Sequence, residues 1–115
     1  MNRRDIGKRY EEMAVRYLEE QQYQILERNY QIRTGEIDVI AKDGNCLVFL
    51  EVKYRQNDKM GDPLEAVDKR KQRKIYQTAQ YYLYQRNIQD HPCRFDVIGI
   101  TGTRIQHIKN AFGAW

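Results

Sequence analysis

Two acidic residues and a lysine have the types and spacing that most clearly suggest chemistry in this sequence. Asp38 lies in one apolar segment, and Glu51 and Lys53 lie two positions apart in the next. Two carboxylates and a main-chain carbonyl oxygen, here that of Val52, suit a hard divalent ion such as Mg²⁺ or Mn²⁺. A metal ion so held lowers the pKa of bound water and stabilises charge on a phosphoryl group. The set therefore suits metal-assisted phosphodiester hydrolysis, with Lys53 orienting the attacking water or offsetting phosphate charge.

Two neighbouring strands joined by a tight turn must position these groups. The segments Glu36–Ala41 and Cys46–Tyr54 are rich in β-branched and apolar residues, and Lys42–Asn45 between them has the composition of a hairpin turn. Because side chains alternate along a strand, Glu51 and Lys53 share one face of the second segment. We therefore expect a hairpin with a charged end on one of its faces.

The length of the turn decides whether Asp38 joins that charged end. A two-residue loop at Gly44-Asn45 places Asp38 opposite Glu51, and one at Asp43-Gly44 places the two diagonally, at cross-strand distances of about 5–8 Å. A three-residue loop without a bulge would separate them. A solvated sheet end crossed by ion pairs is the alternative interpretation of these charges. The other face of the hairpin is expected to be apolar, with Ile37, Val39 and Ala41 set against Val48, Leu50 and Val52.

A glutamate on the first predicted helix adds a fourth candidate group. Hydrophobic periodicity predicts a helix over Asp5–Gln22, with Asp5 as its N-cap. At about 100° per residue, Glu11 falls within the apolar arc of this helix, whereas Glu12 falls outside it. Because an unpaired buried charge is costly, we expect Glu11 to join the same site as a further metal ligand or general base.

A basic cluster follows in the second predicted helix, which is expected to run from Asp62 to Arg86 or Asn87 after a loop at Gln56–Gly61. Cations near a helix N-terminus gain nothing from the helix dipole, so we favour a phosphate-rich partner over a solvated helix face. Lys71 also falls on the apolar stripe and is expected to reach the acidic site or a bound phosphate. The candidate nucleic-acid contacts are Tyr54, Arg55, Lys69, Arg70, Lys71, Arg73 and Lys74.

The order of predicted elements indicates a single α/β domain spanning residues 1–115. A strand at Tyr23–Tyr30 and two closing strands at Phe95–Ile100 and Arg104–Ile108 complete the order α-β-β-β-α-β-β, which favours a mixed sheet flanked by helices. The composition of 41% hydrophobic and 31% charged residues is enough for one core and argues against disorder. No apolar run is long enough for a membrane span and no signal peptide is evident, so a cytoplasmic protein is expected.

The motif resembles that of a known superfamily. Gly35-Glu36-Ile37-Asp38 followed by Glu51-Val52-Lys53 is similar to the bipartite D…(D/E)-X-K signature of restriction-endonuclease-like, or PD-(D/E)XK, proteins. The wider sequence resembles the small bacterial YraN-like branch, with matching segments from Tyr10-Glu11 through Arg94-Phe95-Asp96-Val97 to Ile108-Lys109-Asn110-Ala111-Phe112.

This resemblance implies a restriction-endonuclease-like core with Asp38, Glu51 and Lys53 at the metal site. It also implies a first-helix glutamate, as in archaeal Holliday-junction resolvases, which this sequence places at Glu11. Ile37 stands where the superfamily's name has proline. We therefore expect a nuclease-like protein that uses Mg²⁺ or Mn²⁺ on DNA, including branched DNA, and a homodimer is allowed because resolvase-like relatives are symmetric dimers. The alternatives are an inactive nucleic-acid-binding module on the same fold and a small subunit whose tyrosine-rich helix docks on another protein.

Overall fold

The computed structural model describes residues 2–57 and 61–113, so part of the predicted loop Gln56–Gly61 lies outside the described residues. The order of elements predicted from the sequence is confirmed. The elements are helix α1 (Arg3–Glu20), strands β1 (Gln24–Ile32), β2 (Gly35–Asp43) and β3 (Cys46–Arg55), a 3₁₀ helix (Pro63–Ala66), helix α2 (Lys69–Gln85), and strands β4 (Cys93–Thr101) and β5 (Arg104–Phe112).

The five strands form one mixed sheet in the order β1-β2-β3-β4-β5. Only the β3–β4 pair is parallel, and α2 makes the crossover between these two strands. The other three pairs are antiparallel. The α/β class and the mixed sheet predicted from the sequence are therefore confirmed.

The two helices cover opposite faces of the sheet. Ala14, Val15 and Leu18 of α1 pack in one buried layer against alternate strand residues such as Val39 and Leu50. The other layer contains buried residues of α2 and of the intervening strand positions, namely Ile75, Ala79, Tyr82, Ile40, Phe49, Phe95 and Val97. Because strand side chains alternate between faces, neighbouring apolar residues of β2 and β3 supply both layers. Within the described residues, neither α1 nor α2 has the length and apolar character of a membrane-spanning helix.

Helix α1 begins earlier than its predicted cap. The Oδ1 atom of Asn2 accepts a hydrogen bond of 2.9 Å from the Asp5 N–H, so Asn2 is the N-cap. The expectation that Asp5 caps the helix is therefore wrong. Asp5 instead lies in the first turn, where its negative charge is favourable beside the helix N-terminus.

The predicted long helix from Asp62 is two elements. Asp62 accepts the Leu64 N–H and caps only the 3₁₀ helix, and Asp68 accepts the Lys71 N–H and begins α2. Val67 lies between them with φ −114° and ψ 83°, which no helix adopts. The break places the basic cluster in the opening turns of α2.

The hairpin has the two-residue loop at Gly44-Asn45. The β2–β3 register runs from the pair Asp43–Cys46 to the pair Val39–Leu50, where it ends. Beyond that pair, β2 continues beside β1 and β3 continues beside β4, so the sheet forks.

The alternation of side chains changes beside this fork. Asn29 of β1 has a φ of +53°, a left-handed conformation that Asn adopts more readily than most residues. The side chain of Asn29 contacts α1. The next residue, Tyr30, packs with its cross-strand partner Ile37 in the α2 layer. The expectation that Ile37 shares a face with Val39 is therefore wrong, because the regular alternation is lost next to Asp38.

Candidate functional site

The fork brings the carboxylates of Asp38 and Glu51 into contact. These are the first residues of β2 and β3 beyond the last paired positions. The Oδ2 atom of Asp38 accepts a hydrogen bond of 2.8 Å from the Val52 N–H, which fixes the carboxylate across the gap between the strands. Glu51 is only 4% exposed and its side chain makes a hydrogen bond with that of Asp38. The structure therefore brings together the two acids that the sequence placed either opposite each other or diagonally.

This contact strongly affects the protonation of Asp38. Burial, the charge of Glu51 and the hydrogen bond with Glu51 raise the pKa of Asp38 to about 8, although the Val52 N–H opposes the shift. Near neutral pH the pair therefore holds a proton between its two carboxylates. A cation at this position would replace that proton and remove the repulsion between the acids.

Two lysines approach the buried acid from different elements. The Lys53 Nζ lies 3.6 Å from Glu51 Oε2, and the Lys71 Nζ of α2 lies 3.3 Å from the same oxygen. The expectation that Lys71 points inward to the acidic site is confirmed. Both lysine side chains are about one third exposed, at 33% and 38%, so each ammonium group also contacts solvent.

A cleft of about 400 Å³ opens beside Asp38 on the side of the sheet that α1 covers. Its lining includes Tyr10 and Glu11 of α1, and Lys53 and Tyr54 of β3. Asp38 is therefore accessible from outside, whereas Glu51 is buried behind it and does not line this cleft.

Glu11 lies in this cleft but has partners of its own. Its Oε1 atom accepts hydrogen bonds of 2.7 Å from the Asn29 side-chain amide and 3.4 Å from Arg28 Nη2. Its side chain is 15% exposed, whereas that of Glu12, which also contacts Arg28, is 48% exposed. The inward position of Glu11 agrees with the periodicity, but Glu11 faces the cleft as part of a hydrogen-bonded group with Arg28 and Asn29.

The donor set fits a magnesium-type ion with few protein ligands. Over residues 2–57 and 61–113, no group of three or more His, Cys, Asp or Glu side chains is arranged to hold a metal. Mg²⁺ is commonly bound through one or two carboxylates and keeps several waters. Asp38, Glu51 and the carbonyl of Val52 are therefore a sufficient set for such an ion, while the same residues would make a poor zinc site.

The basic residues of α2 lie in its opening turns, and two of them line a second cleft. Lys69, Arg70, Arg73 and Lys74 are exposed, whereas Lys71 is turned toward Glu51. A second cleft, of about 290 Å³, lies between the start of α2 and the turn that joins β1 to β2. Its lining includes Lys71, Lys74 and Glu36, and Glu36 also lines the cleft beside Asp38. Glu36 thus connects the cleft that Lys71 and Lys74 line with the cleft beside Asp38.

Tyr54 and Arg55 differ in exposure: the Tyr54 side chain is exposed, whereas the Arg55 side chain is buried. Tyr54 is 41% exposed, lines the cleft and stacks on Tyr10, with ring centroids 4.5 Å apart and planes 5° apart. Arg55 does not line this cleft and is only 7% exposed. Its Nε and Nη1 atoms are buried without a partner in the part of the chain that is described. The expectation that Arg55 contacts nucleic acid is therefore corrected, because its side chain is not at the surface.

Two residues of the cleft were not identified from the sequence. Tyr10 appeared only in a segment that resembles the YraN-like branch, and its stacking on Tyr54 depends on how α1 packs against β3. Asn29 appeared only as a polar strand residue, although Asn is a common choice for the left-handed conformation it adopts.

Comparison with known proteins identifies one family. A model described as "Uncharacterised protein family UPF0102" matches residues 10–100, a range that contains both acids of the pair and all residues of the cleft except Gly7. A UPF0102 protein of Lachnoclostridium phytofermentans is 49% identical over 116 positions, which cover 100% of this chain and 98% of the relative. UPF0102 proteins of Fusobacterium nucleatum and Persephonella marina are 46% and 48% identical, cover 96% and 92% of this chain, and are themselves covered to 92% and 91%. The chain therefore belongs to the family UPF0102.

Proposed function

We propose that this protein is a metal-dependent nuclease of the restriction-endonuclease-like superfamily that binds DNA and hydrolyses its phosphodiester bonds in the cytoplasm. The observation that carries the proposal is the carboxylate pair at the fork of the sheet, in which Asp38 lines a cleft and the buried Glu51 lies within 3.6 Å of two lysine ammonium groups. A buried pair of acids in contact is costly for a fold, and such arrangements are concentrated at functional sites.

Each residue of the site has a distinct role in this proposal. Asp38 and Glu51 would hold a divalent ion together with the carbonyl of Val52. When bound, such an ion stabilises phosphoryl charge and lowers the pKa of its bound water. Lys53 lies at the cleft and 3.6 Å from Glu51, where its ammonium group can offset phosphate charge or orient the attacking water. Glu11 is the candidate for a further ligand or base on the opposite wall.

The basic residues of α2 supply the electrostatic part of DNA binding. Lys69, Arg70, Arg73 and Lys74 are exposed in the opening turns of α2, and Lys74 lines the second cleft. Neutralising phosphates releases counterions whatever the base sequence. Phosphate contacts of this kind position the backbone without selecting a sequence. We therefore propose that binding weakens steeply as salt increases.

The test is cleavage of a set of DNA substrates by the purified protein with Mg²⁺ or Mn²⁺. The set includes a duplex, a single strand, a flap and a four-way junction. We expect cleavage that is lost in Asp38→Ala and in Lys53→Ala. Lys109→Ala is the matched control, because Lys109 is an exposed lysine of β5 outside both clefts. Equal cleavage by the wild type and Asp38→Ala would contradict the proposal.

The second candidate is a DNA-binding module that performs no hydrolysis. It is favoured by the basic opening turns of α2, which are exposed independently of the acids. Salt-dependent DNA binding that is unchanged in Asp38→Ala, with no effect of Mg²⁺ or Mn²⁺ on the protein, would select this candidate.

A further inference from the structure

We propose that the cleft beside Asp38 binds one unpaired nucleotide of a DNA substrate, whose base stacks on the pair formed by Tyr10 and Tyr54. This inference rests on the proposed function for its choice of DNA as the ligand. It adds the substrate class, which is DNA with an extrahelical or single-stranded nucleotide next to the bond that faces the acids.

The aromatic pair forms a flat surface at the edge of the cleft. Tyr10 comes from α1 and Tyr54 from β3, and their rings are nearly parallel, with an interplanar angle of 5°. Tyr54 remains 41% exposed, so the pair does not bury all of its aromatic surface. Exposed aromatic rings are a surface on which unpaired bases stack, and Lys53 lines this cleft together with the acids Glu11, Glu36 and Asp38.

The size of the cleft favours a single nucleotide. Its volume of about 400 Å³ lies in the range of sites for small molecules, and α1 closes it on one side. In a duplex the bases are stacked inside the helix, so a base reaches a protein pocket only when it is flipped out or already unpaired. Bulges, flaps and junctions offer such bases at the lowest cost.

The cleft also has polar groups on both sides of the aromatic pair. Asn29 and Glu11, joined by a hydrogen bond of 2.7 Å, offer hydrogen-bonding atoms for the edge of a base. Lys53 lies next to Tyr54 in the sequence and lines the same cleft as Asp38. A base stacked on Tyr54 would therefore have its own phosphate within the cleft that Lys53 and Asp38 line.

The competing explanation is that the tyrosines only attach α1 to β3. A purely structural role requires that loss of the ring change stability alone. A role in base recognition requires in addition that the ring distinguish unpaired from paired DNA. The experiment therefore compares two DNA molecules rather than measuring one affinity.

The probe is a duplex with one bulged 2-aminopurine, compared with the same duplex fully paired, in EDTA so that no hydrolysis occurs. We expect the wild type to bind the bulged duplex about tenfold more tightly, the size of one base–aromatic stack. We also expect the 2-aminopurine fluorescence to decrease on binding.

Three variants separate stacking from folding. Tyr54→Ala should lose the preference, and Tyr54→Phe should keep it because the ring remains. Tyr84→Ala is the control for loss of a tyrosine, since Tyr84 is 82% exposed on α2 and does not line this cleft. Thermal melting establishes whether each variant is folded. If Tyr54→Ala does not fold, the test uses Tyr54→Phe, which should keep the preference for the bulged duplex.

The outcomes separate this inference from the proposed function. Equal affinity of the wild type for the two duplexes, or an unchanged preference in a folded Tyr54→Ala, overturns the inference even where Mg²⁺-dependent cleavage is observed. A preference for the bulge that depends on Tyr54, without any cleavage in Mg²⁺ or Mn²⁺, supports the inference and rejects the nuclease. Absence of binding to every DNA overturns both.

Discussion

Asp38 is the residue whose environment departs most from what its chemistry prefers. Its carboxylate is largely withdrawn from solvent, in contact with that of Glu51, and only the Val52 N–H among its described partners favours its ionised form. The pair therefore lowers the stability of the folded state at the pH where both acids would ionise. This cost is easily explained when the pair serves a cation, and it has no evident use in packing.

The raised pKa of Asp38 predicts a pH dependence of stability. Between the ordinary Asp pKa near 4 and the folded value of about 8, the folded state holds a proton that the unfolded state has lost. Stability contributed by this site is therefore present at low pH and decreases as pH rises through that window. We expect Asp38→Asn to be more stable than the wild type at pH 8, on the order of 1–2 kcal/mol, and to differ little at pH 4. Urea denaturation at both pH values measures this, and a difference independent of pH would contradict it.

Lys71 and Lys74 provide a matched pair on one helix. Lys71 lies 3.3 Å from the buried Glu51, whereas Lys74 is exposed one turn later. Removing one partner of a buried acid leaves its charge less compensated. We expect Lys71→Ala to lower the free energy of unfolding by about 1 kcal/mol, reduced from the value for fully buried pairs because Lys71 is 38% exposed. Lys74→Ala should remain within about 0.5 kcal/mol of the wild type, and equal losses in chemical denaturation would be inconsistent with the Lys71–Glu51 pair.

At the level of elements, the fork between β2 and β3 produces the site. Beyond the pair Val39–Leu50, β2 stays paired with β1 and β3 stays paired with β4. The two central strands therefore separate from each other while both remain in the sheet. The 3₁₀ helix then returns across β4, and α2 begins where Lys71 can reach Glu51. The position of the basic residues thus depends on how the 3₁₀ helix packs.

Gly99 tests that packing. A Cβ atom at Gly99 would overlap the ring of Pro63 in the 3₁₀ helix, so this close approach requires glycine. We expect Gly99→Ala to lower the free energy of unfolding by about 1–3 kcal/mol. Gly7 in α1 is the control, because a Cβ there meets nothing within 4 Å and alanine favours a helix by about 1 kcal/mol. Opposite signs for the two variants in thermal melting support this account, and equal signs contradict it.

Local sequence signals predict most of the helices and strands, but not the exact residues at which they begin, end and pair. The sequence predicts the hairpin itself but leaves its register open between loops at Gly44-Asn45 and Asp43-Gly44, and the structure has the former. The break at Val67 was not predicted, because Asp62 and Pro63 have the start signal expected of the long helix, whereas Asp68 caps α2. The burial of Arg55 was missed for a related reason: alternation along β3 separates it from Tyr54, and an arginine is seldom expected to be buried.

At the scale of the whole molecule, a buried polar network lies at the end of β2 away from the fork. Asp96 is fully buried and accepts hydrogen bonds from Arg94, from the His107 ring and from the Asn110 N–H. Arg94 also bonds Asp43 at the hairpin turn, and the other nitrogen of His107 bonds Tyr17 of α1. The network joins α1 to three strands and contrasts with the poorly compensated acids of the site.

This network predicts an acid limit to stability. Burial alone raises the pKa of Asp96, but the hydrogen bonds from His107, Arg94 and the Asn110 N–H together hold it below its ordinary value. The stability that Asp96 contributes is therefore present above about pH 4 and is lost as pH falls through its lower folded pKa. We expect the wild type to lose stability below pH 4 more steeply than Asp96→Asn, which should be less stable at pH 7. If urea denaturation gives the same change in the free energy of unfolding between pH 7 and pH 3 for both proteins, this prediction is contradicted.

Binding of Mn²⁺ tests most directly the claim that Asp38 and Glu51 form a cation site. Thermal melting of the wild type at pH 8 should shift upward with Mn²⁺ concentration, because a ligand of the folded state stabilises it by about 2.7 kcal/mol at one hundred times its Kd. Asp38→Asn should show no such shift, since it lacks one of the two carboxylates. A wild type that does not respond to Mn²⁺, or a variant that responds equally, would contradict the account.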